Sequence, residues 1–179
     1  MLLLVALAMA AQTPKPGMAM AIPPSLPAIT PDVLPGEGWL PGMHKLRGAA
    51  MVFDTWKPLR RRIAVLEDGT PVIVLSGLSE VSKPDLITVT SPLPELQLKP
   101  GDSLLRYIFR GEGYGDFWAK KRWYNALDGS FVTEADGTGC QSHCKARVTE
   151  PGRQTWWFRV RLTDQRTGWT EALNMLNPN

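Results

Sequence analysis

Residues 155–172, Thr-Trp-Trp-Phe-Arg-Val-Arg-Leu-Thr-Asp-Gln-Arg-Thr-Gly-Trp-Thr-Glu-Ala, decide the fold class. Trp156, Phe158, Val160 and Leu162 share one parity, and Trp157, Arg159 and Arg161 share the other. Successive strand side chains point to opposite faces, so this alternation predicts a β-strand with one buried face and one wet face. A tight turn and a second short strand with Gly168-Trp169 complete a hairpin. Trp156 and Trp169 read as core. Trp157, Arg159 and Arg161 form either a surface that stacks a ligand or a tryptophan covered by arginine stems.

Working outward, the chain keeps the same character. It has 179 residues with 16 Gly and 16 Pro, which favours turns and short strands over long helices. Hydrophobic residues make up 44% and charged residues 21%, a globular balance rather than a disordered one. The formal net charge of +3 is too small to argue for a nucleic-acid partner. Ile63–Leu66 and Val72–Leu75 flank Asp68-Gly69, the dipeptide of tight hairpin turns, and predict a hairpin. Lys99-Pro100-Gly101-Asp102 has the residues of a type II turn. Leu104–Arg110 follows as a strand with Leu105, Tyr107 and Phe109 on one face and Arg106 and Arg110 on the other. Phe117–Ala119 and Arg122–Tyr124 predict a short hairpin across Lys120-Lys121. Residues 125–151 read as a long connection with one strand at Phe131–Thr133. No stretch after residue 50 has the length and capping of a helix, so the predicted class is all-β.

The N-terminus reads differently. Leu2–Met9 is an apolar run followed by Ala8-Met9-Ala10, a pattern that signal peptidase accepts, so residues 1–10 are expected to be a signal peptide cleaved after Ala10. No Lys or Arg precedes that run. It is shorter than the ~20 residues of a spanning helix, so no membrane span is expected. Residues 11–49 are crowded with proline, which removes a donor and fixes φ, and they read as a linker or extended tether, loose as termini usually are, with docking of Trp39 and Leu40 onto the folded part as the alternative. Residues 50–85 then read as an N-terminal β-hairpin extension and residues 86–175 as the main domain.

Two motifs carry a family resemblance. Leu96-x-Leu98-x-x-Gly101-Asp102 before an apolar strand, and Trp157-Phe158-Arg159-Val160-Arg161-Leu162-x-x-x-Arg166-Thr167-Gly168-Trp169, resemble the diverging turn and last strands of bacterial SH3-like (SH3b) domains. Gln165 stands where the second motif usually has Gly. The resemblance implies a small, partly open β-barrel with a long inserted loop between the motifs. It also implies non-covalent binding in the cell envelope, of a peptide or cell-wall glycopeptide or of an envelope protein.

The residues offer little for catalysis. Cys140 and Cys144 enclose Gln141-Ser142-His143, and in an oxidising compartment two cysteines on a short loop are expected to form a disulfide. A zinc site would need four ligands, and beyond His143 only His44 could supply another histidine. Cys-x-x-His-Cys is not the haem-attachment order. Adjacent residues on one loop also make a poor nucleophile and base pair. The carboxylates Glu112, Asp116, Asp128, Glu134 and Asp136 have no spacing that selects an acid–base pair. Gly111–Gly115 lacks the helix a phosphate loop requires. The sequence therefore predicts a non-enzymatic periplasmic or secreted protein without metal or cofactor. Its expected ligand contacts are Tyr114, Trp118, Trp157, Arg159 and Arg161, with Trp123 and Tyr124 completing an aromatic groove.

Overall fold

The computed structural model describes residues 17–35, 41–111, 113–171 and 175–176. The expected signal peptide and the docking of Trp39 and Leu40 lie outside these residues. Among the described residues there is no α-helix. The N-terminal half contributes β1 (Met18–Ala19), β2 (Ala28–Pro31), β3 (Gly42–Leu46), β4 (Ala50–Phe53), β5 (Arg62–Leu66), β6 (Pro71–Lys83) and β7 (Asp85–Val89). After a 3-10 turn at Pro94–Leu96 come β8 (Ser103–Gly111), β9 (Tyr114–Ala119), β10 (Arg122–Asp128) and β11 (Val132–Thr133). The chain ends with β12 (Ala146–Glu150), β13 (Arg153–Arg161), β14 (Thr167–Glu171) and β15 (Met175–Leu176).

These strands form two sheets that curl into a barrel-like, all-β fold. The seven-stranded sheet has the order β1-β10-β9-β8-β7-β12-β11. The eight-stranded sheet has the order β15-β3-β6-β13-β14-β4-β5, with β2 paired to β6 beside that path. Two bends join the sheets side by side. β6 passes into β7 at Pro84, and β12 passes into β13 at Pro151-Gly152, while β12 pairs with β7 and β13 with β6. The result is one long antiparallel ribbon, bent at its middle, with one arm in each sheet. Gly152 makes the bend possible, since a Cβ there would lie 2.5 Å from the Lys83 carbonyl oxygen and 2.6 Å from the Asp85 nitrogen.

This arrangement divides the chain differently from the expected extension and main domain. β13 and β14 belong with β3–β6, whereas residues 85–150 build most of the other sheet. The Asp68-Gly69 turn forms, with Gly69 at φ +74°, but its flanking strands do not pair with each other. β5 pairs with β4 at the sheet edge, and β6 takes the interior beside β3 and β13. The expected linker is also partly sheet: β2 pairs with Val81–Leu78 of β6 and β3 with Val74–Pro71. The prolines sit at the margins of these strands, Pro31 at the end of β2 and Pro41 just before β3.

The remaining turns follow their residues. Asp102 N donates to the Lys99 carbonyl at 3.0 Å and Gly101 has φ +89°, as a type II turn requires. β9 and β10 pair across Lys120-Lys121, both at positive φ. The β13–β14 hairpin closes with Gln165 N donating to the Leu162 carbonyl at 3.0 Å.

Three apolar clusters hold the fold. Ile87, Leu104, Phe117 and Val148 centre one inside the seven-stranded sheet. Val52, Val74, Phe158, Val160 and Leu162 centre another inside the eight-stranded sheet. Val81, Tyr107 and Ile108, with half-buried Ala28, Trp118, Trp123 and Trp156, seal the seam between them.

Candidate functional site

The five residues expected to contact a ligand do not form one surface. Tyr114 and Trp118 lie on β9 in the seven-stranded sheet, and Trp157, Arg159 and Arg161 on β13 in the other. Trp157 is the main correction, being only 2% exposed on the face expected to be wet. The Arg60 guanidinium lies 4.7 Å from its ring centre and 4.8 Å from that of Phe53, and the two rings meet edge-on at 6.4 Å. The indole Nε1 donates to Glu80 Oε2 at 2.9 Å. An arginine therefore does cover the tryptophan, but it comes from the β4–β5 loop rather than from β13. Trp156, expected in the core, is half-buried at the seam. Arg159 is exposed and pairs across strands with half-buried Trp169, and Arg161 is half-buried with its Nε enclosed.

Of the aromatics expected to form a groove, Trp118 and Trp123 pack with Tyr107, and the chain itself lies across them. Trp118 Nε1 donates to the Met20 carbonyl at 3.1 Å, and Tyr107 OH donates to the Pro24 carbonyl at 3.1 Å. Met20 N donates in turn to the Lys121 carbonyl at 2.8 Å. Residues 17–31 thus run as a strap from β10 to β6, over Tyr107, Trp118 and Trp123. Tyr124 is buried in the core of the seven-stranded sheet. Of the expected contacts, Tyr114 and Arg159 remain exposed.

A concave site opens instead at Gly113 and the loop that follows β11. A groove of about 870 Å³ is lined by Gly113, Gly129, Ser130, Val132, Arg106 and the Glu134–Ser142 segment. Its walls are ordered by backbone bonds. Gly129 N donates to the Gly113 carbonyl at 2.6 Å, Glu134 N to the Thr138 carbonyl at 2.8 Å, and Cys140 N to the Val132 carbonyl at 3.0 Å. Asp136 Oδ1 accepts from Thr138 N at 2.9 Å and Thr138 Oγ1 at 2.6 Å, which holds its carboxyl below the usual range. Cys140 and Cys144 are joined in a disulfide, with Cα atoms 5.6 Å apart, and close the loop at one end.

The floor is ionic. Arg106, expected on a wet face, is only 8% exposed. Its Nη1 and Nη2 donate to the two Glu134 oxygens at 2.6 and 2.7 Å, and its Nε to Asp85 Oδ2 at 2.7 Å. Burial opposes its charge, but the Glu134 and Asp85 carboxylates outweigh that and raise its pKa above the ordinary value. Asp85 also accepts from Gly152 N at 2.6 Å, tying the groove to the bend between the sheets. The floor stays satisfied while Asp136, Gln141 and Ser142 face solvent along the rim. Glu134 and Asp136 against Arg106 leave the lining with one negative charge in excess, suited to a ligand rich in N–H and O–H donors.

Among the described residues, no group of three or more His, Cys, Asp or Glu side chains could hold a metal ion. His44, the other histidine considered for such a site, is buried on β3 opposite Val72. No helix among the described residues is long and apolar enough to cross a membrane. No protein-family model, curated protein or solved structure matches the chain.

Proposed function

We propose that this chain is an exported, non-enzymatic SH3-like binding module that holds a peptide or cell-wall glycopeptide in the bacterial envelope. The observation that carries the reading is the groove lined by Gly113 and the Glu134–Ser142 segment, with an ionic floor already neutralised and Asp136, Gln141 and Ser142 along its rim. Binding pockets for small ligands have this size. Amide, hydroxyl and amine groups of a glycopeptide would find acceptors there. The disulfide supports an oxidising compartment.

Retention on purified peptidoglycan, and titration with its soluble glycopeptide fragments, test this. The wild type is expected to bind, and Asp136→Asn and Gln141→Ala to weaken binding severalfold, Gln141→Ala without changing the melting temperature. Failure of the wild type to bind either form would sink the glycan reading. Equal binding by both variants would sink the groove as its site. A second reading, an envelope protein-interaction partner without glycan binding, is favoured by one feature. Met18, Ile22, Leu26 and Ile29 are exposed along the strap. A stoichiometric partner co-purifying from the native envelope, lost on Ile22→Ser, would support it.

A further inference from the structure

The β4–β5 connection carries an unusual tip. Residues 54–61 form a closed loop, with Asp54 N donating to the Arg61 carbonyl at 3.0 Å and Arg61 N to Asp54 Oδ1 at 2.9 Å. Arg60 fixes the base by stacking on Phe53 and Trp157 and pairing with Glu171 at 3.9 Å. Its neighbour Leu59 is turned outward at φ +64° and is fully exposed, at 104% of its reference area. A bulky non-glycine residue in the left-handed region costs conformational energy, and here it holds an apolar side chain entirely in water. Half-buried Trp56 lies three residues before it, with the Lys57 ammonium 5.9 Å from its ring centre. Lys57, Arg60, Arg61 and Arg62 stand against the single carboxylate of Asp54 in residues 54–62.

We propose that this loop seats the protein on an anionic lipid bilayer, with Leu59 and Trp56 entering the boundary between headgroups and acyl chains and Lys57, Arg61 and Arg62 engaging lipid phosphates. Charge complementarity selects an anionic surface. The narrowness of the apolar tip selects a bilayer over a protein, because a stable protein interface needs about 800 Å² of each partner and a single loop tip does not supply it. Tryptophan and leucine backed by lysine and arginine is the chemistry of an interfacial anchor. The exposed pair Met51 and Val65, opposite each other on β4 and β5, adds apolar surface on the same hairpin.

Co-sedimentation of the full chain with vesicles of phosphatidylcholine, alone or mixed with phosphatidylglycerol, tests the proposal. Binding is expected only with phosphatidylglycerol present. Leu59→Asn places there a residue that tolerates positive φ and should lower partitioning about tenfold with no loss of melting temperature. Lys57→Ala should lower it about fivefold. Brominated acyl chains should quench wild-type tryptophan fluorescence more than that of Trp56→Phe. Comparing variants within one chain separates the loop from the apolar run Leu2–Met9. Equal partitioning of wild type and Leu59→Asn would overturn the proposal. So would sedimentation with neither vesicle together with retention on polyglutamate, which would indicate an acidic protein partner instead.

Discussion

At Gly168 the sheet leaves no room for a side chain, since a Cβ would lie 2.5 Å from Val52 Cγ1 and 2.7 Å from the Phe53 carbonyl oxygen. Gly168→Ala is therefore expected to cost about 1–3 kcal/mol, because β4 would have to move off β14; urea denaturation measures it. Gln165 presents the opposite case. It sits at φ +70° in the β13–β14 turn, so Gln165→Gly should raise stability by up to about 1 kcal/mol, read as a higher melting temperature. Phe158, Val160 and Leu162 were legible as core because alternation alone determines which face they occupy. Trp157 was not, because what buries it is Arg60 and Phe53, brought from about a hundred residues away by the β4–β14 pairing. Trp157→Ala should accordingly act on stability, by about 3–5 kcal/mol, before it acts on any ligand.

The strap of residues 17–31 depends on a few polar anchors over an apolar seam. Tyr107→Phe and Trp118→Phe should each weaken it by about 1 kcal/mol, seen as faster hydrogen exchange or proteolysis confined to residues 17–31. Burial raises the Tyr107 hydroxyl pKa, so the folded state keeps that proton to higher pH than the unfolded chain. Stability intact below the unfolded value of about 10 should then decline as pH rises through the folded value, loosening the strap from the alkaline side. The groove responds to acid instead. Asp136 is held low by Thr138, so its contribution, present above the unfolded value of about 4, disappears as pH falls through the folded one. Amide exchange at Thr138 should rise there. The strands of both hairpins, β9–β10 and β13–β14, were legible because their turns are local. The partners of β2 and β3 were not, since both strands depend on where β6 ends up. The groove was hidden for the same reason, as Arg106 on β8 meets Glu134, 28 positions later, only once the intervening β9 and β10 have folded back.

The bent ribbon formed by β6–β7 and β12–β13 makes the two sheets one structure. Gly152→Ala places a methyl group against the backbone of Lys83–Asp85 and should destabilise both sheets together, in a single melting transition rather than two. All-β class and turn positions could be read from composition and alternation. The division of strands between sheets could not, because it is decided by pairings such as Trp157 with Leu78 that join distant segments. The same pairings also govern time. Neither arm of the ribbon can be completed before residues 146–161 have been synthesised, and β1 waits for Trp123. A chain dominated by contacts so remote in sequence folds slowly, so its apolar strands remain exposed while they wait for their partners, and a nascent chain held unfolded by a chaperone or a translocation channel would lose little by the delay.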